Sequence, residues 1–171
     1  MKPVIATDVD GILVKWQSGL PYFAQKYNLK TESILELITE DKFVKASQLF
    51  QCDEELANKL MEKYNNSDFI RYLSGYSDAV FTVNRLAKEY DFACVTALGT
   101  EVDAYLNRRF NLNALFPGVF DDIRMCNHNE SKQWLLAGIA SDYGDRVVAY
   151  IDDLPHHIDT ADNVFSNEGL N

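Results

Sequence analysis

Cysteine is too scarce and too scattered here to build a scaffold. Three occur, Cys52, Cys94 and Cys126, an odd number with neither the close pairs of a zinc site nor the even count of a disulfide framework. Cys94 lies inside an apolar run and reads as a small core residue, so a reducing, intracellular setting is expected. Proline and glycine are few, four and eight, and nowhere do they gather into a linker or repeat. Basic residues are in deficit, 16 Lys and Arg against 26 Asp and Glu, for a net charge of −10. That balance argues against a generic basic groove for long nucleic acid and against docking on anionic membrane. A small anionic substrate stays open, because a metal ion reverses the field locally. No apolar run is long enough for a membrane span or a leader, and Met1-Lys2-Pro3 leads straight into an apolar strand. The expectation is a cytoplasmic protein without a membrane partner.

What remains is the material of one α/β domain, alone or with an insert. At 171 residues the chain can bury roughly 70% of its unfolded surface and needs no staple. Four apolar runs read as buried strands: 3–7, 92–96, 123–126 and 147–151. Helical patterns alternate with them. Ser77 is placed to cap one helix, and Thr100 with Asp103 resembles a capping box before another. A third runs over 130–140, with Trp134, Leu135 and Ile139 at helical spacing. Such alternation predicts βαβ units and a mostly parallel sheet. Residues 16–75 break it, with helices expected over 20–27, 33–38, 42–50 and 54–64, the last capped by Asp53 with Leu56, Leu60 and Met61 on one face. This region reads as a helical cap inserted into a core made of residues 1–15 and 76–171, or as a long crossover layer of the same domain.

The chemistry gathers at strand ends. Val4-Ile5-Ala6-Thr7 runs into Asp8-Val9-Asp10-Gly11, and Asp and Gly are poor strand residues, so the acidic pair marks where a buried strand leaves its sheet. In open α/β sheets ligands bind at the carboxyl ends of strands. The second strand ends at Thr96 and the last at Asp152-Asp153. With these strands side by side, four carboxylates and a hydroxyl converge. Uncompensated, such a cluster would drive its own pKa values upward, and Mg²⁺ with oxygen ligands resolves the conflict. Lys132, just before an apolar helix, is placed to reach the same edge. A carboxylate nucleophile beside a metal and a lysine is equipment for phosphoryl transfer through an aspartyl-phosphate. The string is not an EF-hand, which needs Gly at its sixth loop position where Gly11 is fourth.

In this order the residues resemble the haloacid dehalogenase-like (HAD) hydrolases across nearly the whole chain. Asp8-Val9-Asp10-Gly11-Ile12-Leu13 is similar to the first motif, Val95-Thr96 to the second, Lys132 to the third and Ile151-Asp152-Asp153 to the fourth. The resemblance implies a Rossmann-like α/β/α core with a small helical cap, and a Mg²⁺-dependent phosphatase. Asp8 would attack phosphorus, Asp10 would protonate the leaving group and then activate water, and the Asp10 carbonyl would bind Mg²⁺. Thr96 would hold a phosphoryl oxygen, Lys132 would neutralise charge, and Asp153 with Asp152 would complete the metal site. An acid at Asp10 favours phosphatase over dehalogenase chemistry. One departure is His157, which stands where many relatives carry a further acid or amide. His156 and His157 are adjacent and so diverge on most backbones, which disfavours a transition-metal pair.

The expected substrate is a small phosphorylated metabolite. A resemblance to 5′-deoxyribonucleotidases favours a nucleoside monophosphate, with Trp16, Tyr22, Phe23, Phe43 and Phe50 as candidates to stack a base. Alternatives are a polynucleotide end phosphatase using a patch at Arg71, Arg108 and Arg109, a phospho-acceptor module of receiver type, and a catalytically silent binding relative. The receiver reading suffers from motif order, since its phosphorylated Asp is a lone mid-chain residue.

Overall fold

The computed structural model describes residues 1–40 and 44–169. Its sheet has four parallel strands in the order β3-β2-β1-β4: β1 Val4–Thr7, β2 Asp91–Ala97, β3 Asp122–Cys126 and β4 Val147–Ile151. All four expected strands are present, and β1 lies between β2 and β4. Thr7 is in register with Cys94 on one side and Ile151 on the other, which brings the carboxyl ends of the three strands to one edge.

The strand pattern dictates the layers. Successive side chains of a strand point to opposite faces, so Val4 and Ala6 pack one way and Ile5 the other. On the first face, β1 and β2 pack against α7 (Gln133–Tyr143) and α8 (Pro155–Asn167) through Leu136, Ile139, Ala161 and Val164. On the second, Ile5, Phe92 and Cys94 join Val83 of α5 (Ser77–Leu86) and Ala104 and Leu112 of α6 (Val102–Leu115). Each fully buried Leu or Ile contributes about 1.5–3 kcal/mol. The result is the expected three-layer α/β/α arrangement.

Residues 16–75 are helical. They hold α1 Leu20–Tyr27, α2 Glu32–Glu40, α3 Ala46–Phe50, α4 Glu54–Asn65 and short 3₁₀ turns at Trp16–Gly19 and Asp68–Tyr72. The start of the helix expected over 42–50, and Phe43 with it, lies outside the described residues. Asp53 caps α4 as its side-chain type requires, accepting the Leu56 N–H at 2.9 Å. The way out and the way back run side by side. Lys15 N–H donates to the Ser74 carbonyl at 2.8 Å, and Tyr76 N–H to the Leu13 carbonyl at 3.0 Å. Leu20, Phe23, Ile34, Leu49, Phe50 and Tyr64 share one continuous apolar core with the second face of the sheet.

Several local expectations are corrected. Ser77 is the first residue of α5 behind Tyr76 and makes no capping bond. Thr100 caps nothing, since Glu101 precedes α6 and the Thr100 hydroxyl turns to Asn127 at 3.3 Å. Helix α7 opens at Gln133, and Trp134 is 81% exposed. In α4 Leu56 faces water, while Met61 is buried and Leu60 packs partly buried on the core as expected, with Ala57 and Tyr64 completing the inward face. Phe23 and Phe50 are core residues whose rings stand 6.2 Å apart, so they are not free to stack on a ligand. Among the described residues no helix is long and apolar enough to cross a membrane.

Candidate active site

The first carboxylate is set by a strand that stops. Asp8 follows Thr7 and still donates its N–H to the Ile151 carbonyl of β4 at 2.8 Å, so its main chain is held by the sheet edge. Its side chain is buried, 6% exposed. Lys132 reaches it from the start of α7, with Nζ 3.0 Å from Oδ1. Burial pushes the Asp8 carboxyl up to about 7, against the pull of Lys132 and helped by the charges of Asp10 and Asp152.

Lys132, by residue type a surface lysine, is instead wholly buried. Its second partner is Asp152, with Nζ 2.7 Å from Oδ2. Asp152 also accepts the Tyr150 hydroxyl at 2.5 Å and the Leu154 N–H at 3.0 Å, and His157 Nδ1 stands 3.2 Å from it. Burial opposes charge on Asp152, but the bonds from Lys132, Tyr150 and Leu154 outweigh it and hold the carboxyl below its usual range. Its oxygens are therefore engaged on the protein side, where they orient Lys132. Burial and Lys132 lower the pKa of His157. His157 thus fills the place of the missing acid with a contact to Asp152, and the ring of His156 lies beside it, tilted by 55° with centroids 4.1 Å apart.

The neighbouring acid behaves differently. Asp153 lies over Gly11, which adopts φ +81°, and a Cβ at position 11 would collide with the Asp153 carboxylate. Burial and the charges of Asp152 and Asp10 raise the pKa of Asp153. Gly11→Ala is expected to combine left-handed strain of about 1–2 kcal/mol with displacement of Asp153. A thermal melt lowered by several degrees checks it.

Asp10 lies close enough to add its charge to Asp8 and Asp153. Its side chain turns to Arg108 of α6, whose Nη2 lies 2.7 and 2.6 Å from the two carboxylate oxygens. Arg108 is wholly buried, so it contributes nothing to a surface patch. Arg109 is exposed, and Arg71 is tied to Asn107 at 2.6 Å. Thr96 is buried at the end of β2, and its hydroxyl finds no hydrogen-bond partner among the described residues. The sequence reading missed the roles of Arg108, Tyr150 and His157. Of these, His157 is marked in the sequence by its place after the fourth motif, without a role, and Tyr150 carries a signal as a polar tip on an edge strand two residues before Asp152.

The donor set suits a hard divalent cation. Asp8, Asp152 and His157 each place a ligand atom within 4.8 Å of the others, and Asp153 stands over Gly11 beside Asp10. Burial first, and then the charges of neighbouring carboxylates, raise both Asp8 and Asp153, and carboxylate oxygens of this kind suit Mg²⁺. Asp152 is engaged with Lys132, Tyr150 and Leu154, so Asp8 and Asp153 are the less committed carboxylates of this edge.

No family model matches the chain. It is 57% identical over 164 residues to an uncharacterised 32.4 kDa protein of Enterobacteria phage T4, over 96% of this chain and 58% of that protein. The chain thus spans less than two thirds of that relative's length. Among solved structures it is similar to YfnB of Bacillus subtilis, assigned as a HAD-hydrolase and described with magnesium bound. That likeness has 17% identity and TM-score 0.61, covering 99% of this chain and 86% of that one. A protein of Clostridium difficile assigned as a phosphatase gives 16% and 0.63, covering 99% and 83%. L-2-haloacid dehalogenase of Xanthobacter autotrophicus, with chloropropionic acid covalently bound, gives 15% and 0.59, covering 96% and 75%. At these identities the likeness is one of fold.

Proposed function

We propose that this chain, which has the fold of the haloacid dehalogenase-like hydrolases, hydrolyses a phosphate monoester through an aspartyl-phosphate on Asp8. The observation that carries the reading is the Asp8–Lys132–Asp152 relay. A buried carboxylate at the end of the central strand β1 meets a buried ammonium at 3.0 Å, and a second carboxylate holds that ammonium from behind at 2.7 Å. Fixed charges in a water-poor site stabilise developing charge without reorganising during reaction.

The residues divide the work by position. Asp8 attacks phosphorus and forms the acyl phosphate, and the ester oxygen leaves with a proton from Asp10. Asp10 then takes a proton from the water that cleaves the acyl phosphate, releasing inorganic phosphate and restoring Asp8. Lys132 offsets charge on the Asp8 carboxylate and on the phosphoryl oxygens. The buried Thr96 hydroxyl, without a protein partner among the described residues, donates to a phosphoryl oxygen. Mg²⁺, held by Asp8, the Asp10 main chain and Asp153, would supply the remaining positive charge against the phosphoryl group when bound.

The helices of 16–75 act as the cap that selects the leaving group. A small phosphorylated metabolite is the substrate class, and a nucleoside monophosphate is the first to test. Trp16 remains available for stacking only in part, since its ring packs edge-on to Tyr64 at 5.0 Å and its Nε1–H donates to Asn65 at 2.9 Å. Burial of Arg108 weakens the polynucleotide end phosphatase reading, which needed it on the surface.

The test is phosphate release from nucleoside monophosphates, sugar phosphates and an aryl phosphate, with Mg²⁺ and with chelator. Release that needs Mg²⁺ and vanishes in Asp8→Asn is expected. Equal silence of both proteins across the panel would overturn the reading.

A further inference from the structure

Arg108 presents a puzzle of energy. Its side chain is wholly buried, and the carboxylate of Asp10, 98 residues away in sequence, is its hydrogen-bonded partner through Nη2. Nε and Nη1 are buried without a hydrogen-bond partner among the described residues. Removing a guanidinium from water is costly, and replacing a buried ion pair by apolar side chains of similar volume is often neutral or stabilising. With two donor groups of the guanidinium unsatisfied, this pair is a poor stability device.

The surroundings show what it does well. Asp10 sits in the loop after β1 with its side chain 23% exposed, and both of its carboxylate oxygens accept from Arg108 Nη2. Arg108 approaches from a platform that is itself tied down. On the same face of α6, Asn107 donates to the Asn66 and Ser67 carbonyls at 3.2 and 3.0 Å, and Asn111 donates to the Leu73 carbonyl at 2.9 Å. The helix that grips the return path of the 16–75 segment therefore grips Asp10 as well.

We propose that Arg108 is the positioning residue for Asp10, fixing the carboxyl group that hands a proton to the leaving group. The proposal rests on the phosphohydrolase reading and adds a residue to it. Proton donation requires the donor within hydrogen-bond reach of the ester oxygen, and tolerances for such groups are about 0.5 Å and 10–20°. Arg108 acts at the leaving-group end of the reaction. It has no part in holding the phosphoryl group, which belongs to Lys132 and Thr96.

That division sets the experiment. Second-order rate constants, kcat/KM, are measured with Mg²⁺ for an alkyl phosphate and for p-nitrophenyl phosphate, in wild type, Arg108→Met, Arg108→Lys and Asp8→Asn. This constant reports departure of the leaving group and not later hydrolysis of the acyl phosphate. An alkoxide needs the proton and a nitrophenolate does not. Arg108→Met is expected to lose about 10²-fold on the alkyl ester, the range of general acid catalysis, and under about 3-fold on the aryl ester. Arg108→Lys, which keeps the charge and a donor, is expected to recover part of the alkyl loss. If Arg108→Met does not fold, Arg108→Lys carries the test with the same selectivity at smaller size. Equal losses on both esters, or no loss on either, in folded protein would overturn the proposal. Wild-type turnover no greater than that of Asp8→Asn would instead bring down the phosphohydrolase reading, and the proposal with it.

Discussion

Asp8→Asn is expected to destroy turnover and, in chelator, to make the protein more stable. Loss of a nucleophile acting with its partners costs about 10⁴–10⁶ in rate. The stability gain follows from burial. The Asp8 carboxyl is pushed from its ordinary 3.8 up to about 7. Below pH 4 both folded and unfolded chains hold the proton, and nothing is at stake. Between 4 and 7 the unfolded chain releases it while the folded chain keeps it, so the unfolded state binds fewer protons and stability falls as pH rises. Above 7 the penalty is complete, on the order of 2–4 kcal/mol for a shift of this size. Asparagine removes the titration. At pH 8 in chelator the variant is expected to melt roughly 5–10 °C above wild type, and at pH 4 the two should coincide. Added Mg²⁺ should raise the wild-type midpoint and leave the variant nearly unmoved. Thermal melts across pH, with and without Mg²⁺, check all three expectations. A variant less stable than wild type at pH 8 would mean that Lys132 compensates Asp8 fully.

Lys132→Met is expected to fail in both respects. The ammonium is the charge partner of two buried carboxylates, at 3.0 Å from Asp8 and 2.7 Å from Asp152. Methionine matches its length and leaves Asp152, fully buried, with the Tyr150 hydroxyl and the Leu154 N–H but no cation. Removing one partner of a buried pair costs about 3–5 kcal/mol. The Asp152 carboxyl is held below its usual range, partly by Lys132, so the stability it contributes is present above the ordinary carboxylate pKa and is lost as pH falls through the lowered one. The gap between wild type and variant should therefore be widest at neutral pH and close toward acid. Activity should fall by at least about 10²–10³, the cost of losing one preorganised electrostatic contact. Denaturant melts at pH 7 and pH 3.5, with phosphate release at pH 7, check it.

The strand ends were legible in the sequence because they obey a local rule. A buried strand is an unbroken apolar run, and Asp8, Thr96 and Asp152 interrupt such runs at a polar residue. Lys132 was legible only as a residue before a helix, and its complete burial was not, since lysine is by type a surface residue. The fully buried Arg108 was opaque for the same reason, joined to Asp10 by a contact spanning 98 residues. The capping errors at Ser77 and Thr100 have a plainer cause. Both residues stand one position from the true cap, Ser77 after Tyr76 and Thr100 before Glu101, and a hydroxyl one step from the cap position does not cap the helix. Aromatic content said nothing about availability, since Phe23 and Phe50 proved to be core.

The division between adjacent acids shows most clearly where reading by sequence stops. Asp152 and Asp153 are chemically identical and contiguous, yet one is bound to Lys132, Tyr150 and Leu154 while the other lies over Gly11. Along a chain that leaves a strand, successive side chains point to opposite sides, and which side holds the lysine depends on where α7 packs. Sequence alone determined the α/β class, the four strands, the helical 16–75 segment and the presence of an acidic edge, because hydrophobic period and strand-ending polar residues are local properties. Tertiary structure alone decided which acid meets which cation, that Asp10 answers to Arg108, and that the helical segment shares its core with the sheet. Those outcomes depend on contacts between residues far apart in the chain, whose geometry no local pattern encodes.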